Sequence, residues 1–128
     1  MVELGEKLKN ESNPKDALGL KKVPMDLVPA TSVIYQALAM RDGARKYGPY
    51  NWRQNKVRAD IYIAAAKRHL DSWHNGEEKT RDSNVPHLGC VLACIGILVD
   101  AIETGNLIDN RPTPAPIGDI LERYEEVL

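Results

Sequence analysis

Between Leu88 and Ile102 the chain reads L-G-C-V-L-A-C-I-G-I-L-V-D-A-I. Leu88, Val91, Leu92, Ile95, Leu98, Val99 and Ile102 recur at helical spacing and occupy several faces of that helix. Such a helix needs neighbours packed around it, so the spacing predicts the central helix of the fold, running from about Pro86 to Thr104. Gly89, Ala93 and Gly96 form a stripe of small residues along it, which lets a backbone or a ligand come close. Its longest apolar part, Val91–Val99, is far too short to span a bilayer.

Two further helices are predicted upstream. Val33, Ile34, Ala37, Leu38 and Ala44 mark a helix from about Thr31 to Lys46, ended by Tyr47-Gly48-Pro49. Ile61, Tyr62, Ala65, His69 and Trp73 step along one face of a helix from about Val57 to Asn75, with Asn75-Gly76 suited to its end. Asp82, Ser83 or Asn84 is a candidate cap for the central helix. A short terminal helix, about Asp119–Val127, follows the stiff connector R-P-T-P-A-P-I, with Asp119 and Glu122 as a capping box. No strand-like alternation of useful length occurs. The expected class is all-α: a bundle of three or four helices in one domain, with an arm over residues 1–29, a helical core over 30–105, and a proline linker and terminal helix over 106–128. Leu18, Val23 and Leu27 are the expected anchors of the arm.

A formal net charge of −1 over 128 residues advertises neither a nucleic-acid nor a membrane partner. No apolar leader with a basic flank is seen, and Cys90 and Cys94, one turn apart in an apolar segment, read as buried reduced thiols. A cytoplasmic protein is expected. The small core and the apolar girth of the central helix favour association into a homodimer or homotetramer.

The polar stretch His74–His87, H-N-G-E-E-K-T-R-D-S-N-V-P-H, interrupts this apolar frame. Glu77, Glu78 and Asp82 supply carboxylates of the type that Mg²⁺ or Mn²⁺ requires, and His87 adds an imidazole. If the preceding helix continues past Gly76, Glu77 lies below His69 and Trp73 on the inward face. The same composition is that of a solvated interhelical turn, and spacing does not separate the two. Upstream, Arg45, Lys46, Tyr47, Tyr50, Asn51, Trp52 and Arg53 combine cations for phosphate with stacking faces and an amide for a purine. His69, His87, Cys90 and Cys94 are a weaker candidate set for zinc, lacking the paired C-x-x-C of structural sites.

Four stretches taken in order carry a resemblance: N-P-K-D-A-L-G-L-K-K-V-P-M-D-L-V-P, G-A-R-K-Y-G-P-Y-N-W-R, A-A-A-K-R-H-L-D-S-W-H-N-G-E-E and D-S-N-V-P-H-L. Together they resemble the phage and bacterial dATP/dGTP diphosphohydrolase family, related to the MazG-like all-α nucleotide pyrophosphatases. Its phage members called MazZ accompany synthesis of 2-aminoadenine genomes, which needs dGMP. The resemblance implies cleavage of a purine (deoxy)nucleoside triphosphate to the monophosphate and pyrophosphate, with Mg²⁺ or Mn²⁺ held by acidic side chains, usually in an oligomer. It implies Glu77, Asp82 and His87 as metal ligands with Glu78 as a substitute ligand, Glu78 or Glu77 together with His69 as catalytic groups, and Lys46, Asn51, Trp52, Arg53 and Arg68 as substrate contacts, with Tyr50 beside them as a face for the base or sugar. The family pattern often places an aspartate where this chain has Thr80, and a glycine where it has Asn84. Asp100 is a candidate late carboxylate on the central helix. The E-x-x-E of Glu122 and Glu125 lies in the terminal helix, away from the expected site. A nucleotide-binding or scaffold protein without turnover is the alternative reading.

Overall fold

The computed structural model describes residues 13–128; the start of the expected arm, residues 1–12, lies outside them. The chain divides into two compact units that meet between Val33 and Ile34. In the first, the Asn13 side chain accepts the Lys15 N–H at 3.1 Å and caps α1 (Pro14–Gly19), with Pro14 in the first turn, where no amide is needed. A single 3₁₀ turn, Met25–Leu27, follows. The predicted arm anchors Leu18, Val23 and Leu27 are exposed.

The helix α2 (Ala30–Tyr47) begins at the end of the first unit and continues into the second. Then come α3 (Asn51–Gln54), β1 (Val57–Arg58), α4 (Ala59–His74), α5 (His87–Glu103), β2 (Leu107–Ile108) and α6 (Ile117–Arg123). The all-α class holds, and α5 is the central helix. It packs along α4 as a hairpin and also meets α3, β1 and β2. The buried cluster is Ala39, Val85 and Ala93, with Leu38, Met40 and Cys90 against it.

The small-residue stripe does what its composition suggests. A Cβ on Gly89 would collide with the Tyr35 carbonyl oxygen of α2, and one on Gly96 would meet the Gln36 amide nitrogen. With Ala93 between them, α5 accepts the backbone of α2 where a larger side chain would hold it away.

Several boundaries differ from expectation. Val57 and Arg58 do not open α4; they pair in parallel with Leu107 and Ile108, a strand contact of two residues and too short to leave an alternating pattern. The helix α4 stops at His74 instead of continuing past Gly76. Gly76 adopts a left-handed φ of 96°, its N–H donates to Trp73 O, and the Glu77 N–H donates to Ser72 O, the paired bonds of a Schellman end. No side chain caps α5; Pro86 takes the N-cap position. The helix α6 starts at Ile117, so Asp119 stands in its first turn and not at its cap. Among the described residues no helix is long and apolar enough to cross a membrane.

Gly89→Ala should lower the thermal midpoint by roughly 5–10 °C, because the colliding atom is backbone and cannot turn aside. Gly43→Ala, whose Cβ meets nothing within 4 Å in the middle of α2, should hold or raise it. Melting curves followed by circular dichroism check both.

Candidate active site

The polar insert is a tight hairpin. Lys79 and Pro86 form an antiparallel bridge, the Thr80 N–H donates to Val85 O at 2.8 Å, and the Val85 N–H donates to Thr80 Oγ1 at 3.1 Å. Thr80, the residue in the often acidic slot, therefore closes the turn, and Asn84 supplies a left-handed φ of 56° where the family pattern has glycine. The N–H of His87, the first residue of α5, donates to Glu78 O at 3.0 Å and ties the hairpin to the helix.

Two polar groupings stand at this end of the α4–α5 hairpin. In the first, Glu77 Oε1 lies 2.8 Å from His87 Nε2, and His87 Nδ1 lies 2.9 Å from His69 Nδ1 on α4. His87 is buried, at 4% exposure, and both its ring nitrogens are engaged. The hydrogen bond from His87, with help from Arg81, lowers the Glu77 pKa. Desolvation, followed by the neighbouring His87 and Arg68, lowers that of His69.

In the second grouping, Lys46 Nζ at the end of α2 sits 3.0 Å from Asp42 Oδ2 and 3.0 Å from Asp82 Oδ2. The bonds to Asp82 and then Asp42 raise the ammonium pKa. Lys46 in turn holds the Asp82 carboxyl down at about 2. Cys90, near this pair, has its thiol pushed up to about 11, chiefly by burial.

The predicted cation ligands do not assemble into one shell. Glu77 is spent on His87 and Arg81, His87 on Glu77 and His69, and Asp82 on Lys46. Glu78 lines a separate shallow cleft with Tyr35 and Trp73. Among the described residues no three His, Cys, Asp or Glu side chains are grouped to hold a metal ion. As arranged, these residues do not fit a divalent cation, and the zinc set of His69, His87, Cys90 and Cys94 has no support either.

The K-Y-G-P-Y-N-W-R block forms the wall of a cavity of about 440 Å³. Tyr47, Tyr50, Asn51 and Trp52 come from the block, Met40, Arg41 and Ala44 from α2, Tyr62 from α4, and Ala93 and Ile97 from α5. A volume of this size suits a small organic ligand. Tyr50 meets Trp52 edge-on at 5.9 Å, and the Arg53 guanidinium lies 5.0 Å from the Trp52 ring centre. Tyr50 holds a left-handed φ of 59°, uncommon for a bulky side chain.

The block is stapled in place from the far end of α5. Arg53 makes a two-pronged bond to Asp100, at 2.7 and 2.6 Å. The Asn106 side-chain amide donates to Trp52 O at 2.9 Å and Asn55 O at 2.6 Å. Asp100 is thus the partner of Arg53 and not a member of the acidic grouping. Arg53 in turn is committed to holding the block, while Arg68 is exposed. Asn51 lines the cavity and also accepts the Asn55 amide at 2.7 Å.

Residues 12–111 match the family described as dATP/dGTP diphosphohydrolase, N-terminal. The chain belongs to this family. No curated protein and no solved structure matches it. The family match spans α1, the cavity wall, both polar groupings and the Asn106 staple, and ends before the proline connector. For a member of the diphosphohydrolase family, sequence reasoning missed Asp42, Arg41, Tyr62 and Asn106. Asp42 had a signal in its i,i+4 spacing to Lys46. Asn106 read only as a helix stop, and Arg41 and Tyr62 as ordinary helix positions.

Lys46→Met should return the Asp82 pKa from about 2 toward its ordinary 3.8, read by carboxyl-carbon NMR titration. The folded-state value lies below the unfolded one, so the contribution is present above about pH 4 and is lost as pH falls toward 2. The stability gap between the wild type and this variant should shrink over that window.

Proposed function

We propose that the chain hydrolyses a purine deoxynucleoside triphosphate, dGTP or dATP, to the monophosphate and pyrophosphate. The observation that carries this is the aromatic cavity walled by Tyr47, Gly48, Pro49, Tyr50, Asn51 and Trp52 of the K-Y-G-P-Y-N-W-R block, with Arg41 in its lining. A purine offers a flat apolar face and polar edges; Trp52, Tyr50 and Tyr47 supply the stacking surface and Asn51 an amide. Lys46, Arg41 and Arg68 are the cations that would balance phosphate charge. Arg53 orients Trp52 through Asp100. In the reaction a water oxygen bonds to the α-phosphorus while the bond to the pyrophosphate oxygen breaks. Mg²⁺ or Mn²⁺ enters this reading as the counter-ion of the triphosphate.

Purified protein incubated with each deoxynucleoside triphosphate and Mn²⁺ should yield dGMP or dAMP with an equimolar amount of pyrophosphate on ion-exchange chromatography. Trp52→Ala should raise KM by about tenfold or more, the scale of one lost base stack. Absence of monophosphate with every triphosphate would sink the hydrolase reading. Tight binding by calorimetry without product would instead establish nucleotide binding without turnover, which the internal engagement of Glu77, Asp82 and His87 favours.

We also propose that two or more copies associate. Ile95, Val99 and Ile102 of α5, spaced i, i+4, i+7 on one face, are 48%, 54% and 61% exposed. Light scattering should give at least twice the chain mass of 14.3 kDa, and Val99→Glu should lower it. A monomer mass for the wild type would refute association.

A further inference from the structure

Next to the aromatic cavity lies a smaller recess of about 170 Å³. The two share Met40, Trp52 and Ile97, so they stand side by side. The recess is set between two helix faces. Gln36 and Met40 are one turn apart on α2, and Gly96 and Asp100 one turn apart on α5. Gly96 makes the space, since a Cβ there would collide with the Gln36 amide nitrogen. Among the described residues that amide has no hydrogen-bond partner. None of their buried polar side-chain atoms lacks one, so the Gln36 amide faces open space with donor and acceptor both unused.

The lining selects the kind of group that fits. No Lys or Arg lines the recess, and both oxygens of Asp100 there are taken by Arg53, at 2.7 and 2.6 Å. A carboxylate wall without a lining cation disfavours phosphate, so a neutral polar edge is the better occupant. Met40, Trp52 and Ile97 suit the flat face of a heterocycle. Distinguishing the edges of two purines takes a donor and an acceptor side by side. Two side-chain amides line the pair of cavities, Asn51 and Gln36. Asn51 Oδ1 already accepts the Asn55 amide at 2.7 Å, whereas Gln36 keeps both functions.

We propose that Gln36 reads the base: the purine lies against Trp52 and turns its polar edge into the recess, where the Gln36 amide makes two hydrogen bonds. This rests on the purine nucleotide reading above and adds the residue that sets its specificity. Guanine presents the O6 acceptor beside the N1–H donor. Adenine presents the reverse, the N6 amino donor beside the N1 acceptor. A half-turn of the Gln36 amide exchanges its nitrogen and oxygen, so one side chain serves either purine. An amide fixed by a protein partner could serve only one of them. Gly96 acts through Gln36, by leaving room for the amide to lie in the recess and turn there.

The test is Gln36→Glu in the full chain, read as the ratio of kcat/KM for dGTP to that for dATP. A carboxylate only accepts, so it keeps two partners on guanine, N1–H and the N2 amino group, and faces the adenine N1 lone pair. The ratio should rise by roughly tenfold or more, the scale of one two-pronged base contact. Taking a ratio cancels any general loss of binding from the added charge. The gain should be smaller for dITP, which lacks the N2 amino group. Gly96→Ala, which displaces only the end of a flexible side chain, should raise KM for both purines in a chain that still folds. An unchanged ratio in Gln36→Glu, or an equal gain for dITP, overturns the proposal while hydrolysis stands. If no triphosphate is hydrolysed, the same ratio is taken from calorimetric Kd values for dGTP and dATP. A shifted Kd ratio then keeps Gln36 as the base reader without turnover; an unchanged ratio, or no binding of either nucleotide, overturns it.

Discussion

The close approach of α2 to α5 at Gly89 sets where the end of α2 meets the polar hairpin. Tyr35 presents its carbonyl oxygen where a Cβ on Gly89 would stand, and Gln36 covers Gly96. With the helices this near, Ala39 and Ala93 close the buried cluster together with Val85 from the hairpin. The C-terminal turn of α2 then delivers Lys46 to Asp82, a bond across thirty-six residues. A bulkier stripe on α5 would push α2 outward, separating Lys46 from Asp82 and opening the wall of the aromatic cavity. Small residues contribute little burial of their own. Their effect here is to let larger groups on either side meet.

Around this contact the charges divide into two functions. Arg53, through its two bonds to Asp100, and Asn106, through the Trp52 and Asn55 carbonyls, tie the cavity wall to the end of α5, although the Arg53 side chain is half-exposed. Lys46, Arg41 and Arg68 are exposed, and Lys46 is held by the carboxylates of the half-buried Asp42 and the exposed Asp82, so an anion can compete for them. An exposed ion pair such as Lys46–Asp82 is worth little to stability, since solvent screens it. It can therefore be exchanged for a phosphate contact at small cost to the fold. Arg53 has a planar, two-pronged bond to Asp100, which makes it the poorer candidate for exchange and the better anchor.

Much of this was legible in the order of residues. The apolar periodicity gave the three main helices within a few residues of their ends, and Gly89, Ala93 and Gly96 marked the close contact before any partner was known. What escaped were interactions too short or too distant to leave a pattern. A strand pair of two residues has no alternation to detect. The partner of Asp100 stands forty-seven positions away, and nothing in the chain assigns Arg53 to it over a phosphate. The acidic composition of G-E-E-K-T-R-D-S suggested one shared shell, but composition does not say which way a carboxylate points. Thr80 looked like a lost ligand and is the residue that closes the turn.

Both helices of the hairpin end in the same way, and the two endings explain why G-E and G-N stand where they do. After α4, Gly76 takes a left-handed φ and the Glu77 N–H donates to Ser72 O. After α5, Gly105 does the same and the Asn106 N–H donates to Ala101 O. A Cβ on either glycine would meet nothing within 4 Å, so the requirement is conformational and not spatial. In each case the residue after the glycine is turned back toward the bundle, fixed by its own backbone bond, and its side chain is used there. Glu77 satisfies the buried His87, and Asn106 satisfies the carbonyls of the cavity wall. Had α4 continued through Gly76, Glu77 would follow the helix spiral and leave the His87 Nε2 hydrogen buried without an acceptor, which costs about 1–3 kcal/mol. The helix stop therefore shapes this end of the hairpin: it is the break in α4 that brings a carboxylate to the buried His87.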